Sequence, residues 1–151
     1  MAATLAQTLL APQTQPAVID DCLTLVKEEV SDLSGVSGAA VKVAYKTVNA
    51  FAADHIRYVI EVHLPLMAEQ LEPYWADFNS GGGSDFGDYL TKRGDEVSES
   101  LLAITDASAK APTARPVIVK AYGAVRQHAA KHVVAALPRL GALVQSRAAQ
   151  G

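Results

Sequence analysis

The feature that most constrains this chain is a pattern it carries twice. Ala44, Tyr45, Val48, Ala52, Ala53, His55 and Ile56 recur at the same relative spacing as Ala121, Tyr122, Val125, Ala129, Ala130, His132 and Val133. Each set is followed by a Leu-Pro step, Leu64-Pro65 and Leu137-Pro138. The period is about half the chain, too long for a short-repeat solenoid, and implies a duplicated helical unit about a pseudo-two-fold axis.

Apolar positions in both copies advance by threes and fours. Val41, Tyr45, Val48, Ala52, His55, Val59 and Val62 make one stripe, and Ile118, Tyr122, Val125, Ala129, His132 and Ala136 make another. That spacing predicts amphipathic helices that bury one face as a core seam. The whole chain reads as eight helical segments without a strand. A first helix spans Ala2 to Leu10, and a second, capped by Thr14 with Pro16 in its first turn, ends at Gly35 and Gly38. Ser37 caps the third and longest helix; Pro65 breaks or kinks the chain, a short helix follows through Leu71, and Glu72-Pro73 opens an aromatic segment. Gly81-Gly82-Gly83 form a flexible joint, with Ser84 capping the next helix. The second half repeats the order, with a short helix near Asp85 to Lys92, a break at Gly94, a helix from Asp95 to about Ser108 and a long one from about Thr113 to Ala136. Leu137-Pro138 then introduces a last short helix. The expected fold is all-α, a helical bundle built from two similar four-helix halves within a single domain, 1–151. The halves, about 1–79 and 84–151, are joined by the Gly-rich loop 80–84.

A chain of 151 residues, half of them apolar, can bury a core without disulfides or metal. Its single cysteine, Cys22, sits among Ile19, Leu23 and Val26, so it packs as a small apolar residue, and a reducing cytoplasm is expected. The first residues lack the charged start of a secretory signal, and no apolar run reaches the length of a membrane span. The net charge is −3 but unevenly spread. From Ala107 to Gly151 there are seven basic and no acidic residues, whereas residues 1–79 hold four basic and ten acidic ones. The basic end either meets an anionic surface or neutralises the acidic end internally.

His55 and His132 occupy matching repeat positions, and a two-fold axis could bring them together. Facing imidazoles could hold a metal or haem iron, with His128 one helical turn from His132 as a further ligand, or His63. The bland alternative is hydrogen-bonded core histidines, and Lys131 stands where a zinc-protease pattern needs Glu. No cofactor is expected outside that haem or metal reading. Tyr74, Trp75 and Phe78 place three rings in five residues, either as a partner surface or as a plug over a bundle end. Arg115 with Arg126, and Lys120 with Lys131, are each eleven residues apart and form two basic lines flanking the solvent side of the long helix. They suit a protein partner; net acidity and the lack of interleaved aromatics argue against nucleic acid. No Glu-x-x-His pair marks a di-iron bundle, and Asp20/Asp21 and Asp95/Glu99 read as caps or solvated faces.

The runs Leu33 to Tyr45, Leu71 to Phe78 and His132 to Leu140 together resemble an uncharacterised bacterial family of small all-helical proteins, a domain of unknown function. The likeness spans nearly the whole chain. It implies a small cytoplasmic protein and supplies no activity, cofactor or catalytic residue. The function expected is a non-enzymatic helical protein-interaction module, a subunit or accessory of a larger assembly or a homo-oligomer. The alternatives are a bundle that carries an apolar ligand and a haem or metal protein using the paired histidines.

Overall fold

The computed structural model describes residues 4–51, 54–112 and 114–150. Within them seven α-helices follow one another with no strand: α1 (Leu5–Leu9), α2 (Gln15–Asp32), α3 (Gly35–Phe51), α4 (His55–Ser80), α5 (Phe86–Lys92), α6 (Gly94–Ala109) and α7 (Pro116–Gln150). Local chemistry accounts for their starts. Thr4 opens α1 with a capping box, accepting from the Gln7 N–H at 3.1 Å while the Gln7 side chain accepts from the Thr4 N–H at 2.9 Å. Asp85, one residue beyond the expected Ser84, caps α5 by accepting from the Asp88 N–H at 3.0 Å. Thr14 stands at the cap of α2, but its side chain makes no capping bond. Ser37 lies inside α3, which starts two residues earlier at Gly35, where φ of 77° turns the chain sharply after α2.

Three expected breaks are absent. Pro65 and Pro73 lie within α4, and Pro138 lies within α7. A proline removes the bond to the carbonyl four residues earlier, which in α4 means Glu61 and Glu69. Positions 61, 65, 69 and 73 are all exposed, so water can take the freed carbonyls and the helix continues. Where one helix is expected from Ser37 through Val62, α3 instead ends at Phe51 and α4 starts at His55. Ala52 and Ala53 lie outside the described residues, as do Ala2, Thr113 and Gly151. The first copy of the repeat is therefore shared by α3 and α4, whereas the second lies inside α7, 35 residues long. At 1.5 Å per residue α7 extends about 52 Å.

The core gathers at one end. Leu5 and Leu9 of α1, Val18 of α2, Leu64 and Leu71 of α4, Phe86 and Leu90 of α5, Val97 of α6 and Leu137 and Val144 of α7 are almost wholly enclosed. Leu64 and Leu137 are the leucines of the two Leu-Pro steps. By contrast, every described member of the repeat itself is half-buried, so the stripes expected as core seams are not the core. Between 39 and 63, and between 103 and 136, no described residue is fully buried. Cys22 does pack in the core, where burial pushes its thiol up to about 11.

Tyr74, Trp75 and Phe78 turn inward. Phe78 is buried, and its ring lies 5.2 Å from Phe86 and 5.7 Å from Trp75, while Trp75 meets Phe86 edge-on at 4.9 Å. Tyr89 continues the cluster and donates to Asp77 at 2.5 Å, and Arg93 lies over its ring. Internal packing accounts for the concentration of rings that also read as a partner surface.

Two glycines let α5 lie directly on α7. A Cβ at Gly141 would fall 2.2 Å from the Gly87 Cα, and one at Gly87 would fall 2.6 Å from the Pro138 carbonyl oxygen. The seat is locked by Gln145, which accepts from the Phe86 N–H and donates to the Ser84 carbonyl, both at 3.0 Å. Gly141→Ala forces backbone apart rather than a flexible side chain. The expected loss of unfolding free energy is about 1–3 kcal/mol or more, read from the urea midpoint. An unchanged midpoint would show that α5 can move off α7 without penalty.

Candidate functional site

Away from the core, α6 packs on both α4 and α7, and the early turns of α4 and α7 stand apart around an open cleft. Its volume is about 560 Å³. Each wall is a stripe at helical spacing: His55, Tyr58, Val59, Val62 and His63 from α4; Thr105, Ser108 and Ala109 from α6; Ile118, Val119 and Tyr122 from α7. Arg115, just before α7, completes the rim together with Ala111 and Ala114. The same steps of three and four that predict a core seam thus line an opening.

At one end His55 and Arg115 share the cleft, with the Tyr58 ring 6.1 Å from that of His55. Burial first, and the Arg115 charge second, hold the His55 pKa below its ordinary value, so His55 is neutral at neutral pH. The Arg115 guanidinium lies 5.7 Å from the centre of the Phe51 ring. Further along, the His63 Nδ1–H donates to the Val59 carbonyl at 2.7 Å. The rest of the lining is Val59, Val62, Ile118, Val119 and alanine, with the Ser108 hydroxyl among them.

The other end is closed by hydrogen bonds. The Tyr122 hydroxyl donates to Asp106 Oδ1 at 2.5 Å and lies 2.8 Å from Thr105 Oγ1. Arg126 grips the same carboxylate with both arms of its fork, at 2.8 and 3.0 Å. Bonds from Arg126 and then Tyr122 lower the Asp106 pKa from 3.8 to about 2. A folded pKa below the unfolded one stabilises the protein above about pH 4, a contribution lost as pH falls through about 2. Urea midpoints at pH 7 and pH 3 should therefore fall further for the wild type than for Asp106→Asn. Equal losses would show that this carboxylate is not linked to folding.

The other sequence candidates are placed separately. His132 lies ten residues beyond Tyr122, about 15 Å further along α7, so His55 and His132 do not share a site. The His132 pKa is lowered, by burial first and then by Lys131 and His128, and its buried Nε2 has no partner among the described residues. No three His, Cys, Asp or Glu side chains gather as a metal set among the described residues. Of the two basic lines, Arg126 turns inward to Asp106 and Arg115 to the cleft. Lys120 and Lys131 stay exposed, with Lys131 3.5 Å from Ser37 Oγ. The basic half does neutralise the acidic half: Arg139 meets Glu29 and Asp32, and Arg147 meets Asp21, all on α2. Tyr58, Thr105 and Ser108 belong to no motif. Their one sequence signal is polar groups set at helical spacing within apolar stripes.

Among described residues no helix is long and apolar enough to cross a membrane. Compared with known families, residues 5–148 match one family model, DUF6918, whose description is a family of unknown function. No curated protein and no solved structure matches the chain.

Proposed function

The chain belongs to DUF6918, a family of unknown function, and on that footing we propose that it is a non-enzymatic binding protein holding an apolar small molecule between α4 and α7. The cleft carries this reading. Its volume of about 560 Å³ falls among small-molecule sites, which run to roughly 300–1,000 Å³ and combine apolar walls with a few convergent polar groups. Val59, Val62, Ile118 and Val119 supply the walls; His55, Tyr58, His63, Thr105 and Ser108 supply the polar groups. The one thiol is enclosed elsewhere, and Asp106 is engaged by Arg126 and Tyr122, so neither is free for chemistry in the cleft.

Nile red, a neutral dye that brightens in apolar surroundings, tests it. The wild type should bind the dye with a blue-shifted rise in fluorescence, and Val119→Trp, which fills the cleft, should bind about tenfold more weakly at an unchanged melting temperature. Equal binding by the two proteins would place the dye elsewhere and end the proposal.

A second reading, self-association, is supported by exposed apolar side chains. Tyr58 and Leu66 of α4 are 60% and 46% exposed, Phe51 is 49% exposed, and Val62 and Val117 also face outward. An apolar face of this kind suits a second copy of the chain. It predicts a dimer in sedimentation velocity that the double change Tyr58→Glu, Leu66→Glu converts to monomer. A monomeric wild type at high concentration would dispose of it.

A further inference from the structure

Resting on the cleft as a ligand site, we infer that its occupant is a monoanionic amphiphile: a carboxylate seated at Arg115, on an apolar body lying between α4 and α7. The chain has six arginines. Five meet carboxylates: Arg57 meets Asp20 and Glu61, Arg93 meets Asp77, Arg126 meets Asp106 and Glu99, Arg139 meets Glu29 and Asp32, and Arg147 meets Asp21. Arg115 meets none among the described residues and has the Phe51 ring and the His55 imidazole beside it. It is also the arginine on the rim of the cleft. A guanidinium is weakly hydrated, and its planar fork matches a carboxylate, so an anion arriving there gains two charge-assisted bonds without breaking an existing pair.

The rest of the cleft selects the ligand's shape and charge. His55 is neutral beside Arg115, so it can offer an N–H without adding a second charge, and that end presents one formal positive charge. One charge is matched by a carboxylate and would leave a phosphate dianion half neutralised. Beyond it the walls are Val59, Val62, Ile118 and Val119, which favour an aliphatic body. At the far end Tyr122 already donates to the ionised Asp106. With its donor spent on that carboxylate, Tyr122 has none to offer a second anionic group, so the ligand's distal end is uncharged.

Calorimetric titration of the full chain with decanoate, decanol and decyl phosphate, below their aggregation concentrations, tests the inference. Decanoate should bind about tenfold or more tightly than decanol, the gain expected from charge-assisted bonds, and more tightly than decyl phosphate. Arg115→Met should erase the preference for decanoate while leaving decanol affinity unchanged, and Arg115→Lys should keep part of it. Circular dichroism and the unchanged decanol affinity confirm that Arg115→Met is folded. Equal affinity for decanoate and decanol, or a preference that survives Arg115→Met, overturns the carboxylate assignment and leaves the cleft reading standing. Tighter binding of decyl phosphate overturns the choice of a monoanion. If none of the three binds the folded wild type, both the inference and the reading beneath it fail.

Discussion

The contact on which the rest of the structure depends is the backbone approach of α5 to α7 at Gly87 and Gly141. No side chain larger than hydrogen fits on either surface, so the two helices meet closer than ordinary side-chain packing allows. That approach brings Phe86 under Trp75 and Phe78, and the aromatic cluster in turn ties the end of α4 to α5. α1 is fastened to the same end, its first N–H donating to Glu72 at 2.6 Å. With the buried leucines of α4 and α7 collected around this seat, the opposite ends of those helices are left without a shared core, and the cleft lies there.

Electrostatics divides the molecule along the same line. The acidic α2 is clasped to the late turns of α7 by Arg139 and Arg147, and to the first turn of α4 by Arg57. These pairs are partly exposed, so each adds modestly to stability, but together they fix where α2 lies. The consequence is a distribution of positive charge in which Arg115 is the arginine left over. Its position at the mouth of the apolar cleft is what gives the cleft a polarity.

The all-helical character, the short α5, the break before α6 and the loop at 80–84 were legible because they depend on local spacing, caps and glycine. Helix continuity across the prolines was not. Whether a proline ends a helix depends on whether the carbonyl it frees faces water, and Glu61 and Glu69 became visible as solvent-facing only once the bundle was assembled. The two matching stripes marked helical stretches, although the first is divided between α3 and α4, and they named the wrong core. Steps of three and four say that a face is covered or lined, not by what: His55, Val59 and Val62 line a cleft, whereas the core seam of α4 runs through Leu64 on another face. Bringing Arg115 together with His55 required the tertiary path, since sixty residues separate them in sequence.

The uneven placement of buried residues has a consequence for motion. Opening free energies within a protein follow local burial, so the early turns of α4 and α7 that flank the cleft make a jaw expected to open at lower cost than the closely packed base at the α5 seat. The closed base never needs to loosen for the jaw to part. A molecule held in the jaw would supply apolar contacts between α4 and α7 that the chain does not make at that end. Occupancy would then complete the bundle, and the spread in stability between base and jaw would narrow as the site fills.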